Sequence, residues 1–308
     1  MRKNLSPNVL TRLGIFVLMA SVIPLLLVGA ITYNVSRSVI EREVNSYSRA
    51  LITQQADYLD LILQQLSALV SNVSGVDAIR DALQLEYDPA DDFTRLSTNT
   101  EIGNILNPFI NVQGSGLLGI DIFSVNGAHY HVGDTLDVSS INEGVLGSLW
   151  QRSAASHDAT LWAGIEDNVN STSTYKKVIT VARQLRTVDP ATLQEKPLAL
   201  VLVHYDVDSL YRYFSQVNLG EGAYMVILDN ENRLVYHPDR TLIGQTVTPA
   251  FVEQFTRLQD QSTLVVDTVP MYVTHEAPNF FQKYLISFVL LASPSTEKQV
   301  MGSMTFLA

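Results

Sequence analysis

Gly222-Ala223-Tyr224-Met225-Val226-Ile227-Leu228-Asp229-Asn230-Glu231-Asn232-Arg233-Leu234-Val235-Tyr236-His237-Pro238-Asp239-Arg240, running on to Gly244, is the stretch that decides how the chain folds. An apolar run stops at Asp229-Asn230-Glu231-Asn232, three of them turn-tolerant, and a second β-rich run follows at once. Asp and Asn side chains bond their own backbone and accept turn geometry, so the pattern predicts a β-hairpin. His237-Pro238-Asp239 ends the second strand, because Pro has no N–H to give to a ladder.

As a string this hairpin resembles the strand-turn-strand of the membrane-proximal module in extracytoplasmic Cache sensor domains. There an Ile-Leu-Asp turn, a basic or polar return strand, His-Pro-Asp and a later Gly recur, and Asn232 stands where the family most often has Gly. The resemblance extends over about residues 13 to 295. It implies an α+β fold in which a membrane helix and a long helix precede two PAS-like antiparallel-sheet modules.

Upstream, Leu13 to Tyr33 is 21 positions without a charge, close to the ~20 that cross a bilayer core. Arg2, Lys3 and Arg12 precede it, so the tail 1–12 is expected in the cytoplasm and the remainder outside. A cleaved signal peptide is the rival reading. Its apolar core would be only ~7–15 residues, and this run is longer. The favoured placement is therefore an inner-membrane anchor with a periplasmic or extracellular domain behind it.

Net charge is −11, and no basic cluster offers a nucleic-acid surface. Of the 20 Lys and Arg, three lie in the first twelve positions, so the rest sets 17 against 31 acids, or −14. There is no cysteine, which excludes disulfides, thiol catalysis and Cys-ligated metals.

Residues 34–85 hold no Pro and one Gly, Gly75, and their apolar positions recur three or four apart. That spacing predicts a long stalk helix, or two helices broken near Asn72 to Gly75. Two partners suit it, its own domain and a second copy of the chain, and a homodimer through this helix is expected. Glu86 to Asp92 lacks the spacing of a calcium loop and reads as a solvated turn.

A membrane-distal module is expected over 86–205. It comprises a helix Glu101–Val112, strand Leu117–Val125, an Asn126-Gly127 turn, return strand Ala128–Val132 and helix Ile141–Ala155. A variable polar loop Glu166–Thr174 and strands Lys177–Leu185 and Pro197–Tyr205 complete it. A linker helix (206–219) leads to the proximal module (220–295), with a helix Pro249–Leu258 and last strands Ser262–Val273 and Lys283–Ala292. Residues 296–308, apolar and small, are expected to begin a second membrane helix.

No enzyme signature is present: no Gly-x-Ser-x-Gly, His-Glu-x-x-His, Walker loop or dinucleotide fingerprint. Any enzymatic output, such as a histidine kinase or diguanylate cyclase, would lie beyond residue 308, and no cofactor is implied. His129 and His131 share a strand face and can clamp a metal, but no third ligand is in view, and exposed strand residues are the plainer reading. Amino-acid-sensing double-Cache receptors carry Arg-x-Trp-Tyr-x-x-Ala on the distal helix. Here Ser148-Leu149-Trp150-Gln151-Arg152-Ser153-Ala154 keeps the Trp and Ala but has Ser148 and Gln151 where the Arg and Tyr belong, so the carboxylate clamp is lost.

A small-molecule pocket is therefore expected in the distal module, walled by Trp150, Trp162, Tyr175 and Arg183, with Tyr130 and Asp121 beside them. Trp150 is equally at home in the core. Arg183 alternates with Ile179, Val181 and Leu185, so it sits on an apolar strand face and must either pair with a buried carboxylate such as Asp121 or meet a ligand.

Overall fold

The computed structural model describes residues 7–85, 92–112, 116–156, 160–217, 224–229, 231–248, 262–266, 269–276 and 287–292. The chain divides into two units, residues 1–51 and residues 52–308. The first unit is the amino-terminal part of helix α1 (Pro7–Ser74). Within it Gly14–Ile40 is long and apolar enough to cross a membrane, with mean hydropathy 2.6 and none of it buried. Pro24 lies inside this segment, a placement that membrane helices tolerate.

In the second unit, α1 ends where Gly75 N–H turns back to the Ser71 and Asn72 carbonyls. The chain restarts at Asp77 as α2 (Asp77–Gln84), so the expected break near Gly75 is present. Helix α3 (Asp92–Val112) begins nine residues before the expected Glu101 and passes through Pro108.

Two five-stranded antiparallel sheets follow. The first contains β1 (Leu117–Ser124), β2 (His129–Gly133), β3 (Leu161–Asp167), β4 (Lys177–Val188) and β5 (Glu195–Asp206), with α4 (Glu143–Ala155) between β2 and β3. Helix α5 (Val207–Ser215), capped by the Asp206 side chain on Asp208 N–H at 2.8 Å, leads to the second. That sheet holds β6 (Tyr224–Leu228), β7 (Leu234–Tyr236), β8 (Ser262–Val266), β9 (Val269–Glu276) and β10 (Ser287–Ala292). Their spatial orders are β2-β1-β5-β4-β3 and β7-β6-β10-β9-β8, the same path run twice.

One strand was not anticipated, and one expectation needs correction. Leu161–Asp167 is a strand, although the sequence shows no alternation there. A bulge between Trp162 and Gly164, with Gly164 at φ +76°, shifts the period by one residue. Ser262–Val273 is two antiparallel strands rather than one; Asp267 and Pro270, which interrupt its apolar run, were the available signals. The expected helix Pro249–Leu258 and the segment 296–308 lie outside the described residues.

The quoted hairpin forms as β6 and β7. Asn232 takes a left-handed φ of +60°, which explains why Asn serves in a place suited to Gly. Asp229 Oδ1 accepts the N–H groups of Glu231 and Arg233, both at 2.9 Å, and closes the turn.

The distal sheet has two differently used faces. Ile120, Ile122, Val181, Leu185, Val201 and Val203 point to a core shared with Leu59, Leu66 and Val73 of α1, Ile79 of α2 and Leu106 of α3. That core continues into the proximal module through Phe214, Met225 and Ile227. On the opposite face Phe123, Ala182, Leu200 and Leu202 pack with Leu149 of α4 and with Ala163 and Val169.

Candidate functional site

The α4-side face of the distal sheet carries a charge that its neighbours do not. Asp121 sits in the middle of the apolar strand β1 and is fully buried. Strand pairing sets Asp121 opposite His131 on β2 and Leu202 on β5, while Gly119 lies opposite His204 and Phe123 opposite His129. Residues paired across a sheet share a face, so three imidazoles converge on one carboxylate.

His129 Nε2 lies 2.7 Å and His131 Nδ1 2.9 Å from Asp121 Oδ1, and His204 Nε2 lies 3.4 Å from Oδ2. Asn170 donates its amide to both oxygens, at 3.2 and 3.3 Å. Thr180 contacts His204 Nδ1 at 3.1 Å, and Phe123 stacks on His129 with centroids 4.1 Å apart.

Two loops close over this cluster. The segment after β2 and the one between β3 and β4 are joined by Asn142 N–H to Val169 O at 2.8 Å and Ser171 N–H to Ser140 O at 2.9 Å. Thr172 Oγ1 bonds the Asp137 carbonyl, and Ser173 Oγ bonds Asp134. Asn170 belongs to this strap, so the strap is fastened to Asp121. In this cluster His131 Nε2, His204 Nε2 and Asn170 Oδ1 are buried without a hydrogen-bond partner, a state that costs roughly 1–3 kcal/mol for each group.

Burial alone would push the Asp121 carboxyl up, but the bonds from His129 and His131, with His204 close by, outweigh it and hold it well below the usual carboxylate range. Burial would likewise push His131 down. The bond to Asp121, the charges of Asp121 and Asp134 and the Thr135 backbone reverse that, and the imidazole is raised above its ordinary value of 6.5. Only His129 Nε2 and His131 Nδ1 are hydrogen-bonded to the carboxylate, and among the described residues no group of three or more His, Cys, Asp or Glu is arranged to hold a metal ion.

Apart from Tyr175, the expected pocket residues are divided between the two faces. Asp121 and Trp150 belong to the α4 side, where Trp150 packs half-buried on the Phe123–Leu149 core; Tyr175 is exposed in the segment before β4, and its carbonyl accepts Asn168 Nδ2 at 3.0 Å. Tyr130, Trp162 and Arg183 point the other way. Tyr130 and Trp162 are buried in the core shared with α1. Arg183 does not pair with Asp121; its Nη1 donates to Ser71 Oγ on α1 at 3.0 Å. Alternation put Arg183 on the apolar face correctly, but Asp121 is on the other.

His129 and His131 also need correction, since their side chains are only 16% and 5% exposed. Asn170 and His204 were missed. The available signal was Asp121 itself, a carboxylate in Leu117-Leu118-Gly119-Ile120-Asp121-Ile122-Phe123 that has to find donors on adjoining strands.

A second polar network joins the modules. Arg233 Nε donates to Asp229 Oδ2 at 2.8 Å, Nη1 to Glu166 Oε1 at 3.0 Å and Nη2 to the Ala163 carbonyl at 2.5 Å. Arg152 of α4 meets the same Glu166 oxygen at 2.5 Å and Glu231 at 2.6 Å.

The sequence matches no family model and none of the curated proteins compared with it. Solved structures do match. The ligand-binding domain of the Pseudomonas fluorescens chemoreceptor CtaA, in complex with L-isoleucine, is 14% identical with a TM-score of 0.58, covering 84% of this chain and 95% of that one. Its fold is that of a double-Cache sensor domain. The double-Cache ligand-binding domain of the Pseudomonas aeruginosa amino acid chemoreceptor PctC, with GABA, is 12% identical with a TM-score of 0.51 and coverage of 80% and 98%. That of Campylobacter jejuni Tlp3, with L-norvaline, gives 14%, 0.51, 82% and 92%. The repeated strand order described above is the double-Cache pair of modules.

Proposed function

We propose that the chain is the ligand-sensing part of a bacterial membrane receptor, anchored by the apolar stretch of α1, with both double-Cache modules outside the inner membrane. A small molecule binds in the distal module, on the α4 side of its sheet. Asp121 with its histidines, Trp150 and Tyr175 are the residues placed to meet it. Binding shifts the proximal module and the membrane helix within a homodimer formed through α1, and a cytoplasmic output follows. The observation that carries this is the buried polar cluster under a closed strap, on a fold whose solved relatives hold small molecules. The chain itself carries no catalytic signature.

The alternative, a membrane-tethered binding or scaffolding protein without its own output, keeps the same site and loses only the transmission. A thermal-shift screen of the full chain in detergent micelles against amino acids, sugars, carboxylates and amines tests the binding. A ligand at 100 times its Kd adds about 2.7 kcal/mol, and Asp121→Asn should abolish that gain. A hit whose shift survives Asp121→Asn places the site elsewhere. A reporter active only in the cytoplasm, fused near residue 200, should be silent; activity there reverses the topology.

A further inference from the structure

The Asp121 cluster has a charge problem that the ligand-binding reading does not address. An ionised carboxylate with no exposure is costly unless a cation compensates it. No Lys or Arg contact to Asp121 is seen among the described residues. Arg152 is spent on Glu166 and Glu231, Lys176 on the Ser171 and Ser173 carbonyls, and Lys177 on Asp167. The partners are imidazoles, which carry charge only with an added proton.

The groups facing His131 come from each element around it: Asp121 on β1, His129 on its own strand, His204 on β5, Asp134 in the loop after β2, and the neutral Asn170 in the strap. One carboxylate and one imidazolium make the inner cluster neutral. Without that proton a buried anion remains.

We propose that the cluster is a proton site that reports external acidity by fastening the strap: closed with one proton on the imidazoles, released without it. This stands on the cluster itself and holds whichever small molecule the module binds. The link to movement is Asn170, whose amide rests on both Asp121 oxygens and whose loop is tied to the Asp134–Asn142 segment. Loss of the proton favours water entering to solvate Asp121, which this loop excludes.

His131 is raised when folded, so its contribution is fully present below the unfolded value of about 6.5 and is lost as pH rises through the folded value. Asp121 is depressed, so its contribution is fully present above the unfolded value of about 3.8 and is lost as pH falls from there through the folded value. The strap is therefore tightest between about pH 4 and 6.5 and loosens above that window.

Hydrogen exchange on the full chain in detergent micelles reads this directly. After correction for the intrinsic pH dependence of exchange, protection of the amides of Asn168, Asn170, Ser171 and Ser173 should fall measurably between about pH 6 and 8.5, as His131 loses its proton. His131→Gln keeps a donor for Asp121 but cannot hold the proton, so the pH dependence should vanish, while His129→Gln should retain it. Because His131→Gln can misfold, the wild-type imidazoles are also titrated by NMR, where His131 must titrate above 6.5. A His131 value at or below 6.5, unchanged strap protection between the two pH values, persistence of the dependence in a folded His131→Gln chain, or its removal by a metal chelator would each overturn the proposal.

Discussion

Asp229 and Gly164 meet where the two modules join: the Asp229 Oδ2 atom lies 2.3 Å from where a Cβ on residue 164 would stand, and it accepts Ile165 N–H at 3.3 Å. A glycine is required there twice over. Its φ of +76° is unfavourable for any L side chain, and the space is filled by the Asp229 carboxylate and by Arg233 Nη2 at 2.8 Å. Gly164→Ala should therefore cost about 1–3 kcal/mol in backbone strain, plus the bonds it displaces. Chemical denaturation of the chain in micelles measures this, and a loss under ~0.5 kcal/mol would show that the joint is plastic.

Arg233 is the centre of that joint. Its side chain is 13% exposed and Glu166 and Asp229 are 16% and 3% exposed, so water screens the network weakly. Removing one member strands the others, which typically costs about 3–5 kcal/mol for a buried pair. Arg233→Leu should show a loss toward that range, and a double-mutant cycle with Glu166→Gln should give a coupling of about 0.5–3 kcal/mol. Additive losses would mean that the modules do not communicate through this pair.

The difference between what sequence conveyed and what it concealed follows from register. Hairpins and helices were legible because turn chemistry at Asp229–Asn232 and Asn126–Gly127, and the apolar period from Val44 to Val73, are local. The faces of single strands were legible too, as Arg183 shows. What stayed hidden was which faces of separate strands coincide. Asp121, His129 and His131 are close in sequence, but His204 and Asn170 reach them only through the β1–β5 pairing and the strap. The Trp162–Gly164 bulge turned Trp162 toward the helices without leaving a periodic trace.

Arg183→Ala should lower stability rather than ligand affinity. The guanidinium is half-buried and bonds Ser71 Oγ on α1, so its removal should cost about 1.5–2 kcal/mol, the lower part of the range for charged hydrogen bonds. Ligand affinity at the α4-side face should be unchanged, because the sheet lies between them. Paired measurements of melting temperature and affinity check this, and a tenfold loss of affinity in a fully stable variant would return Arg183 to the pocket.

The last expectation concerns amino acids. Ser148 and Gln151 occupy the places on α4 where amino-acid receptors of this fold have Arg and Tyr, and both are exposed. The neighbouring cation, Arg152, is bound to Glu166, Glu231 and the Ala163 carbonyl and has no free fork for a carboxylate. Asp121, for its part, is already surrounded by imidazoles and the Asn170 amide, so an ammonium group would have to displace them. Neither end of a zwitterion finds an open partner among these groups. Calorimetry with the common amino acids should show no binding at micromolar strength, and Ser148→Arg with Gln151→Tyr should not create it, because both new side chains start from an exposed face of the helix. Micromolar binding of any common amino acid to the wild-type chain would show that a different set of residues makes the clamp.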